Sequence, residues 1–260
     1  MLITQFSDVA DELGVPSYVL FTSGANLLAM MLQLESIGVD APSAFGDLPP
    51  ESAPMEVLGF RNPIPVSVWP EILLSKENSA QFLSHGSRYR KMKGILVNTF
   101  AELESEILLP LSGDDRIPPV YTVGPVLDLG RQKINGGDHP IINWLDDQPP
   151  ASVVFLCFGS NGTFQKEQVE QIAEGIERSG HRFLWSLRRQ PNSDKGETLP
   201  SDFSDFNEVL PTGFLDRTTD IGKVIGWAPQ AEVLAHPAVG AFVSHCGWNS
   251  VLESLWFGVP

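Results

Sequence analysis

The chain has 260 residues and a formal net charge of −15, which argues against nucleic acids and anionic lipid surfaces as partners held by charge alone. Hydrophobic residues make up 42% of it, as in an ordinary globular protein, and no apolar run approaches the ~20 residues that a membrane helix needs. Met1 is not followed by a secretion signal, and the two cysteines are too few for a disulfide scaffold, so we expect a cytoplasmic protein.

The first part of the chain alternates short apolar runs with amphipathic segments, which is typical of an α/β protein with parallel strands. Residues 17–21 predict a buried strand, and residues 24–34 predict a helix with one apolar face. Residues 94–97 predict a second strand, and residues 99–109 predict a helix whose first turn is acidic, as the helix dipole favours. Between these units, residues 40–70 are rich in proline and glycine and predict a long loop.

A second irregular stretch predicts a boundary between two domains. Residues 126–150 contain a Gly-Gly pair and several prolines, and we interpret them as an inter-domain linker. The predicted domains are therefore residues 1–125 and residues 151–260.

After residue 150 the alternation of strands and helices resumes clearly. Strands are predicted at residues 152–158, 182–187, 223–226 and 240–244, and helices at residues 166–179, 230–235 and 249–257. A tight turn at residues 159–162 and a polar loop at residues 190–208 complete the segment. The pattern predicts a doubly wound, Rossmann-like sheet. No strand precedes the first unit, and the last helix leads toward a strand past Pro260, so we interpret the chain as a fragment.

The junction at residues 245–250 predicts an anion site. Ligands of open α/β sheets bind at the carboxyl ends of strands, and a strand ends here while a helix begins. Gly247 permits a close turn, and the free N–H groups of the helix, with the side chains of Asn249 and Ser250, are suited to a phosphate. His245 at the strand tip can donate to a diphosphate oxygen.

Three further side chains are placed to hold the rest of a nucleotide. Glu253 lies one helical turn beyond Ser250, where its carboxylate can accept both hydroxyls of a ribose. Trp227 follows another predicted strand end, where its indole can stack on a base. Gln230 would then lie beside the ribose.

Each of these residues also has a structural interpretation. Ser250 and Glu253 match a Ser-x-x-Glu capping box, which is the favoured interpretation of that pair alone. A single tryptophan usually lies in a core, and a core position is expected for Trp69, Trp144, Trp185 and Trp256. The joint occurrence of the polar residues at these offsets nevertheless favours the nucleotide site.

A metal site is disfavoured. His236 and His245 are nine residues apart, which fits no single helix face, and no carboxylate completes a ligand set with them. Structural or anion-facing roles are therefore expected for both histidines.

Residues 227–260 resemble the signature box of the plant family 1 UDP-glycosyltransferases. The resemblance is carried by WAPQ at residues 227–230, HCGWNS at residues 245–250, Glu253, and GVP at residues 258–260. Other segments of the chain are similar to the family as well: VADELGVP at 9–16, GILVNTF at 94–100, VGP at 123–125, WLD at 144–146 and FGS at 158–160.

The resemblance implies a GT-B fold of two Rossmann-like domains, both incomplete here, with residues 1–125 on the acceptor side and residues 151–260 on the donor side. It implies that Trp227 stacks on uracil and that the backbone of Ala228 pairs with the base edge. It implies that the ribose is bound by Gln230 and Glu253. It implies that the diphosphate is bound by Ser160, His245, Asn249, Ser250 and the backbone near Trp248.

The activity implied by the resemblance is transfer of a sugar, with glucose expected, from a UDP-sugar to a hydroxyl of a small aromatic plant metabolite such as a flavonoid, with inversion. The UDP-sugar is a co-substrate, and no cofactor is expected. No metal is expected either, because the chain has no Asp-x-Asp and the helix dipole with His245 supplies the counter-charge. A monomer is expected.

The chain departs from the family pattern at the catalytic residues. The family's catalytic His lies in a stretch absent here, its partner Asp would align immediately before Met1, and its sugar-binding acidic residue and Gln would lie beyond Pro260. No remaining histidine is assigned as the base, and three are expected to be exposed: His85, His139 and His181.

There are two alternatives to an active UDP-glycosyltransferase. One is an inactive, truncated nucleotide-binding remnant, which we expect of this polypeptide rather than an active enzyme. The other is a GT-B epimerase acting on UDP-sugars, which is disfavoured because such enzymes are not expected to carry the tryptophan-rich box.

Overall fold

The computed structural model describes residues 4–36, 54–69, 76–127 and 140–260. The chain divides into two units, Met1–Val126 and Leu127–Pro260, and each is built on a parallel sheet with helices. This is the α/β class that the sequence predicts. Within the described ranges, no helix combines the length and the apolar character needed to cross a membrane.

The first unit contains a three-stranded parallel sheet in the order β1-β2-β3. Its strands are β1 (Tyr18–Phe21), β2 (Gly94–Val97) and β3 (Val120–Thr122), and its helices are α1 (Phe6–Glu12), α2 (Ala25–Ser36), α3 (Lys76–Lys91) and α4 (Ser105–Ser112). The predictions of β1, β2 and α2 are confirmed, whereas α1, α3 and β3 were not predicted.

The core of the first unit lies between the sheet and α2. Phe21, Leu28 and Ile95 are fully buried there, and Phe21 meets Tyr89 of α3 edge to face with ring centroids 5.8 Å apart. Strand β2 is buried along most of its length, whereas β1 buries only Val19 and Phe21 and exposes Tyr18 and Leu20. The predicted buried strand at β1 is therefore buried on one face only. The described part of the predicted loop at residues 40–70 is residues 54–69, whose only helical segment is the 3₁₀ turn Val66–Val68. The rest of that prediction lies outside the described residues.

The helix predicted over residues 99–109 was wrong in its first half, since α4 begins only at Ser105. The backbone of Thr99 is held instead at the end of the sheet, where its N–H donates to Val97 O (2.8 Å) and its carbonyl accepts from Gly124 N (2.8 Å). The buried carboxylate of Glu104 accepts the N–H groups of Ala25 (2.8 Å) and Asn26 (3.0 Å) at the start of α2. The acidic residue therefore stabilises the N-terminus of another helix.

The second unit contains a four-stranded parallel sheet in the order β6-β5-β4-β7. Its strands are β4 (Val153–Cys157), β5 (Arg182–Ser186), β6 (Gly222–Ile225) and β7 (Val239–Ser244). Its helices are α5 (Pro140–Asp146), α6 (Lys166–Ser179), α7 (Phe214–Arg217), α8 (Gln230–Leu234) and α9 (Trp248–Phe257). Every strand and helix predicted after residue 150 is present, with ends that differ by one residue at most.

Part of the predicted linker is helical rather than irregular. Helix α5 buries Ile141 and Leu145 in the core of the second unit. Asp146 at its end lies 3.1 Å from His236 Nε2, and His236 Nδ1 accepts from Ala238 N (3.2 Å). Residues 140–146 therefore pack as part of this unit. The sequence missed them because a short apolar segment of seven residues, bounded by prolines, gives a weak helical signal.

The expected core tryptophans divide into two groups. Trp69 and Trp185 are buried and Trp144 is partly buried, in agreement with the prediction. Trp256 is 54% exposed, so its predicted core position was wrong. The last turn of α9 packs Phe257 against the core instead.

His85 was expected to be exposed, and this was wrong because the sequence did not predict the helix that carries it. The residue is 2% exposed on α3, with Nδ1 2.7 Å from Thr4 Oγ1 and Nε2 without a partner among the described residues. Burial, and secondarily the nearby charge of Arg88, lowers the pKa of His85 below the ordinary 6.5. His181 is exposed as expected, and His139 lies outside the described residues.

We expect the free energy of unfolding to decrease as the pH falls through 6.5, because the unfolded chain then binds a proton that the buried imidazole of His85 resists. A His85→Asn variant should lose less stability over the same pH range. Urea unfolding at several values between about pH 5 and 8 measures this difference. His181→Asn, at an exposed histidine, is the matched control. An identical pH dependence in His85→Asn and the unaltered chain would contradict the prediction.

Candidate functional site

A cavity of about 780 Å³ lies at the carboxyl edge of the second sheet. Its walls come from the segments that follow β4, β5, β6 and β7, which the parallel arrangement brings to the same edge. Eight of the nine predicted site residues line it: Ser160, Trp227, Ala228, Gln230, His245, Asn249, Ser250 and Glu253.

His245 is held at the cavity between two glycines. A Cβ on Gly159 would lie 2.7 Å from His245 Cε1, and a Cβ on Gly247 would lie 2.3 Å from His245 Nε2. Only glycine allows the backbone to approach the imidazole this closely. Gly159 also has a φ of 78°, in the region that favours glycine. The turn after β4 and the turn after β7 therefore fix the position of one exposed imidazole.

Helix α9 begins beside this histidine. Gly247 is its N-cap residue and offers no side chain to the N–H groups of the first turn. Asn249 in that turn is exposed and lines the cavity. The helix N-terminus, Asn249 and His245 together give the cavity a group of hydrogen-bond donors suited to an anion.

The capping-box interpretation of Ser250 and Glu253 was wrong, because Ser250 lies inside α9 and not at its N-cap. Its hydroxyl accepts a hydrogen bond from Gln230 Nε2 at 3.0 Å. The same Nε2 donates to Glu253 Oε2 at 2.7 Å. A carboxylate and an amide thus lie side by side in the cavity wall, which is a suitable arrangement for two neighbouring hydroxyls.

Trp227 and Ala228 form a second wall, directly after β6. Residue Trp227 is 53% exposed, whereas Ala228 is buried. The N–H of Trp227 donates to Asp202 Oδ1 at 3.0 Å. The aromatic ring is therefore accessible to a ligand, while a hydrogen bond holds the backbone that carries it.

Trp248 is the one predicted site residue that the structure does not place in the cavity lining. Its side chain is partly buried in the first turn of α9. His236, bound to Asp146 and Ala238 as described above, likewise does not line the cavity. Within the described ranges there is no group of three or more His, Cys, Asp or Glu side chains able to hold a metal ion.

Several lining residues were missed in the sequence, among them Cys157, Ser186 and Arg188. Arg188 is the most notable, since its side chain is 14% exposed and its Nε lies 3.1 Å from Asp202 Oδ1. Burial raises the pKa of the Cys157 thiol, which keeps it neutral. All three lie at or just after a strand end, and that position was the signal available for finding them.

Comparison with known proteins agrees with this geometry. A profile of the family described as UDP-glucoronosyl and UDP-glucosyl transferase matches residues 139–260. The chain is 52% identical to the UDP-glucose flavonoid 3-O-glucosyltransferase 6 of Fragaria ananassa, over 100% of the chain and 55% of that protein. It is 51% identical to the anthocyanidin 3-O-glucosyltransferase 2 of Manihot esculenta, over 99% of the chain and 72% of that protein.

A solved structure is also similar. The chain aligns with a UGT transferase from Siraitia grosvenorii in complex with UDP at 45% identity and a TM-score of 0.88. The alignment covers 99% of this chain and 57% of that one. It confirms the predicted GT-B class with Rossmann-like domains.

The chain spans about half the length of most of the curated relatives it matches, and its share of the Manihot esculenta protein is larger, at 72%. The matched region extends over 99–100% of the chain and therefore spans the segments around the cavity. This chain therefore belongs to the UDP-glucoronosyl and UDP-glucosyl transferase family.

Proposed function

We propose that the second unit binds the UDP part of a UDP-sugar, and that the whole protein transfers the sugar to a hydroxyl of a small aromatic plant metabolite such as a flavonoid, with inversion. Glucose is the expected sugar. The observation that carries this proposal is the single cavity in which eight predicted donor-site residues meet. The names of the Fragaria and Manihot relatives support the sugar and acceptor class, and the UDP in the Siraitia structure supports the nucleotide.

The uracil is assigned to the Trp227 wall. The exposed indole offers a flat surface for stacking, and the backbone of the buried Ala228 is proposed to pair with the base edge. Gln230, which follows in the first turn of α8, extends this wall toward Glu253.

The ribose is assigned to Gln230 and Glu253, because their adjacent amide and carboxylate complement vicinal hydroxyls. The diphosphate is assigned to His245, Ser160, Asn249, Ser250 and the N-terminus of α9. In the transfer, negative charge develops on the departing UDP, and donors already oriented toward it stabilise the transition state. The helix N-terminus and His245 supply this stabilisation without a metal ion in the proposed reaction.

A transfer to a hydroxyl also needs a base that removes the acceptor proton. None of the described histidines fits that role in this chain. His245 is assigned to the diphosphate, His236 is bound to Asp146, His85 is buried against Thr4, and His181 is exposed on the loop before β5. We therefore propose that this polypeptide binds the donor without transferring its sugar, and that a longer protein supplies the base.

The first prediction from the proposed function concerns the Trp227 wall. Trp227→Ala should weaken UDP binding by about 10- to 100-fold, because base-to-aromatic stacking contributes ~1–3 kcal/mol. Titration calorimetry with UDP measures the loss. Trp256→Ala is a closely matched control, since both indoles are about half exposed (53% and 54%) and Trp256 does not line the cavity. Equal affinities for the two variants would refute the assignment of Trp227.

The second prediction concerns the ribose. Glu253→Ala should weaken UDP binding about tenfold, since hydrogen bonds to a charged group contribute ~1.5–3 kcal/mol. The loss should be smaller for 2′-deoxy-UDP, which already lacks one of the two hydroxyls. Competition titrations with both nucleotides test this. A loss of the same size for both ligands would show that Glu253 does not contact the 2′-hydroxyl.

The third prediction concerns catalysis. The purified chain should bind UDP but give no detectable glucosylation of a flavonol from UDP-glucose, because none of the histidines in its described ranges is placed to act as the base. A product extended in its reading frame at both ends should be active. Chromatography of the reaction mixture distinguishes the two. Clear turnover by the present chain would overturn the view that it is a donor-binding remnant.

A further inference from the structure

We propose that Asp202, paired with Arg188, is a positioning residue that sets the orientation of Trp227 and so contributes to the selectivity of the site for uracil. This inference rests on the proposed function, in that it assigns the base to Trp227. It concerns a loop residue that does not line the cavity and acts through its neighbours.

The backbone at Trp227 leaves the sheet and needs other partners. Strand β6 ends at Ile225, whose carbonyl accepts the N–H of Leu187 at 2.8 Å. The next peptide group joins Gly226 to Trp227. Its carbonyl oxygen accepts from Ser186 Oγ at 2.7 Å, and its N–H donates to Asp202 Oδ1 at 3.0 Å. Side chains on both sides therefore hold this one peptide plane.

The orientation of that plane determines the direction in which the Trp227 side chain leaves the backbone. Its indole is about half exposed, so packing contributes only part of the restraint on it. Gly226 is required for the arrangement, because a Cβ there would lie 2.3 Å from Asp202 Cγ. The carboxylate thus packs directly against the backbone of the glycine that precedes Trp227.

Asp202 is itself held by the end of β5. Arg188 Nε lies 3.1 Å from Asp202 Oδ1, and Arg188 Nη2 donates to Pro200 O at 2.8 Å. Arg189 and Ser201 form an antiparallel bridge, with N–H to carbonyl distances of 2.8 and 3.2 Å. The loop that carries Asp202 is therefore attached to the sheet on which the cavity is built.

The charges add a second reason for selectivity. Arg188 lines the cavity and is largely buried, and Asp202 is its carboxylate partner. Without Asp202, an unpaired guanidinium would remain beside the site and attract any nucleoside diphosphate. Loss of the carboxylate should thus weaken recognition of the base more than recognition of the diphosphate.

The test compares UDP and ADP binding by titration calorimetry in the unaltered chain and three variants. Asp202→Ala should raise the Kd for UDP about fivefold or more, with a smaller change for ADP, so that the preference for UDP decreases. Asp202→Asn keeps an oxygen that can accept the Trp227 N–H but removes the charge that pairs with Arg188, so it should retain more of that preference than Asp202→Ala. Asp205→Ala is the matched control, since the Asp205 carboxylate caps a short turn of the same loop, where it accepts from Asn207 N (2.9 Å) and Asn207 Nδ2 (2.8 Å).

Three results would overturn the inference. In the first, Asp202→Ala keeps the preference of the unaltered chain for UDP. In the second, its affinities for UDP and ADP fall by the same factor, which indicates a general structural effect. In the third, Asp202→Asn loses as much preference as Asp202→Ala. Failure of the unaltered chain to bind UDP is a different outcome, because it would refute the proposed function and, with it, this inference.

Discussion

The site depends on the parallel arrangement of β4, β5, β6 and β7. Because their carboxyl ends meet at one edge, segments separated by many residues of sequence surround a single cavity. Each strand contributes one part of it: Ser160 follows β4, Arg188 follows β5, Trp227 follows β6 and His245 follows β7. An antiparallel strand in this sheet would send its end to the opposite edge and remove its part of the wall.

Close contacts between side chains and glycine backbone fix the positions of the polar groups at this edge. The imidazole of His245 fits between Gly159 and Gly247, and the carboxylate of Asp202 fits against Gly226. In each case the missing Cβ lets a polar side chain approach the backbone at a distance that other residues would forbid. The glycines at the strand ends therefore position the polar groups, while the strands position the glycines.

The first unit shows how buried polar groups stabilise the same kind of sheet without forming a described site. Glu104 accepts hydrogen bonds from the N–H groups at the start of α2, and His85 of α3 is hydrogen-bonded to Thr4. Both residues are nearly inaccessible, and both join segments that lie about 80 residues apart in sequence. They hold helices against the unit rather than acting on a ligand.

The α/β class, the strands of the second unit, helices α6, α8 and α9, and eight residues of the cavity lining could all be predicted from the sequence, because periodic apolar runs and the residues at strand ends are local signals. It did not reveal α3, whose sequence is mostly polar, or the burial of His85 on it. Nor did it show that Ser250 binds Gln230 rather than capping α9, or that Asp202 reaches Trp227 across 25 residues. These points follow only from the folded chain, because each depends on a contact between segments that are distant in sequence.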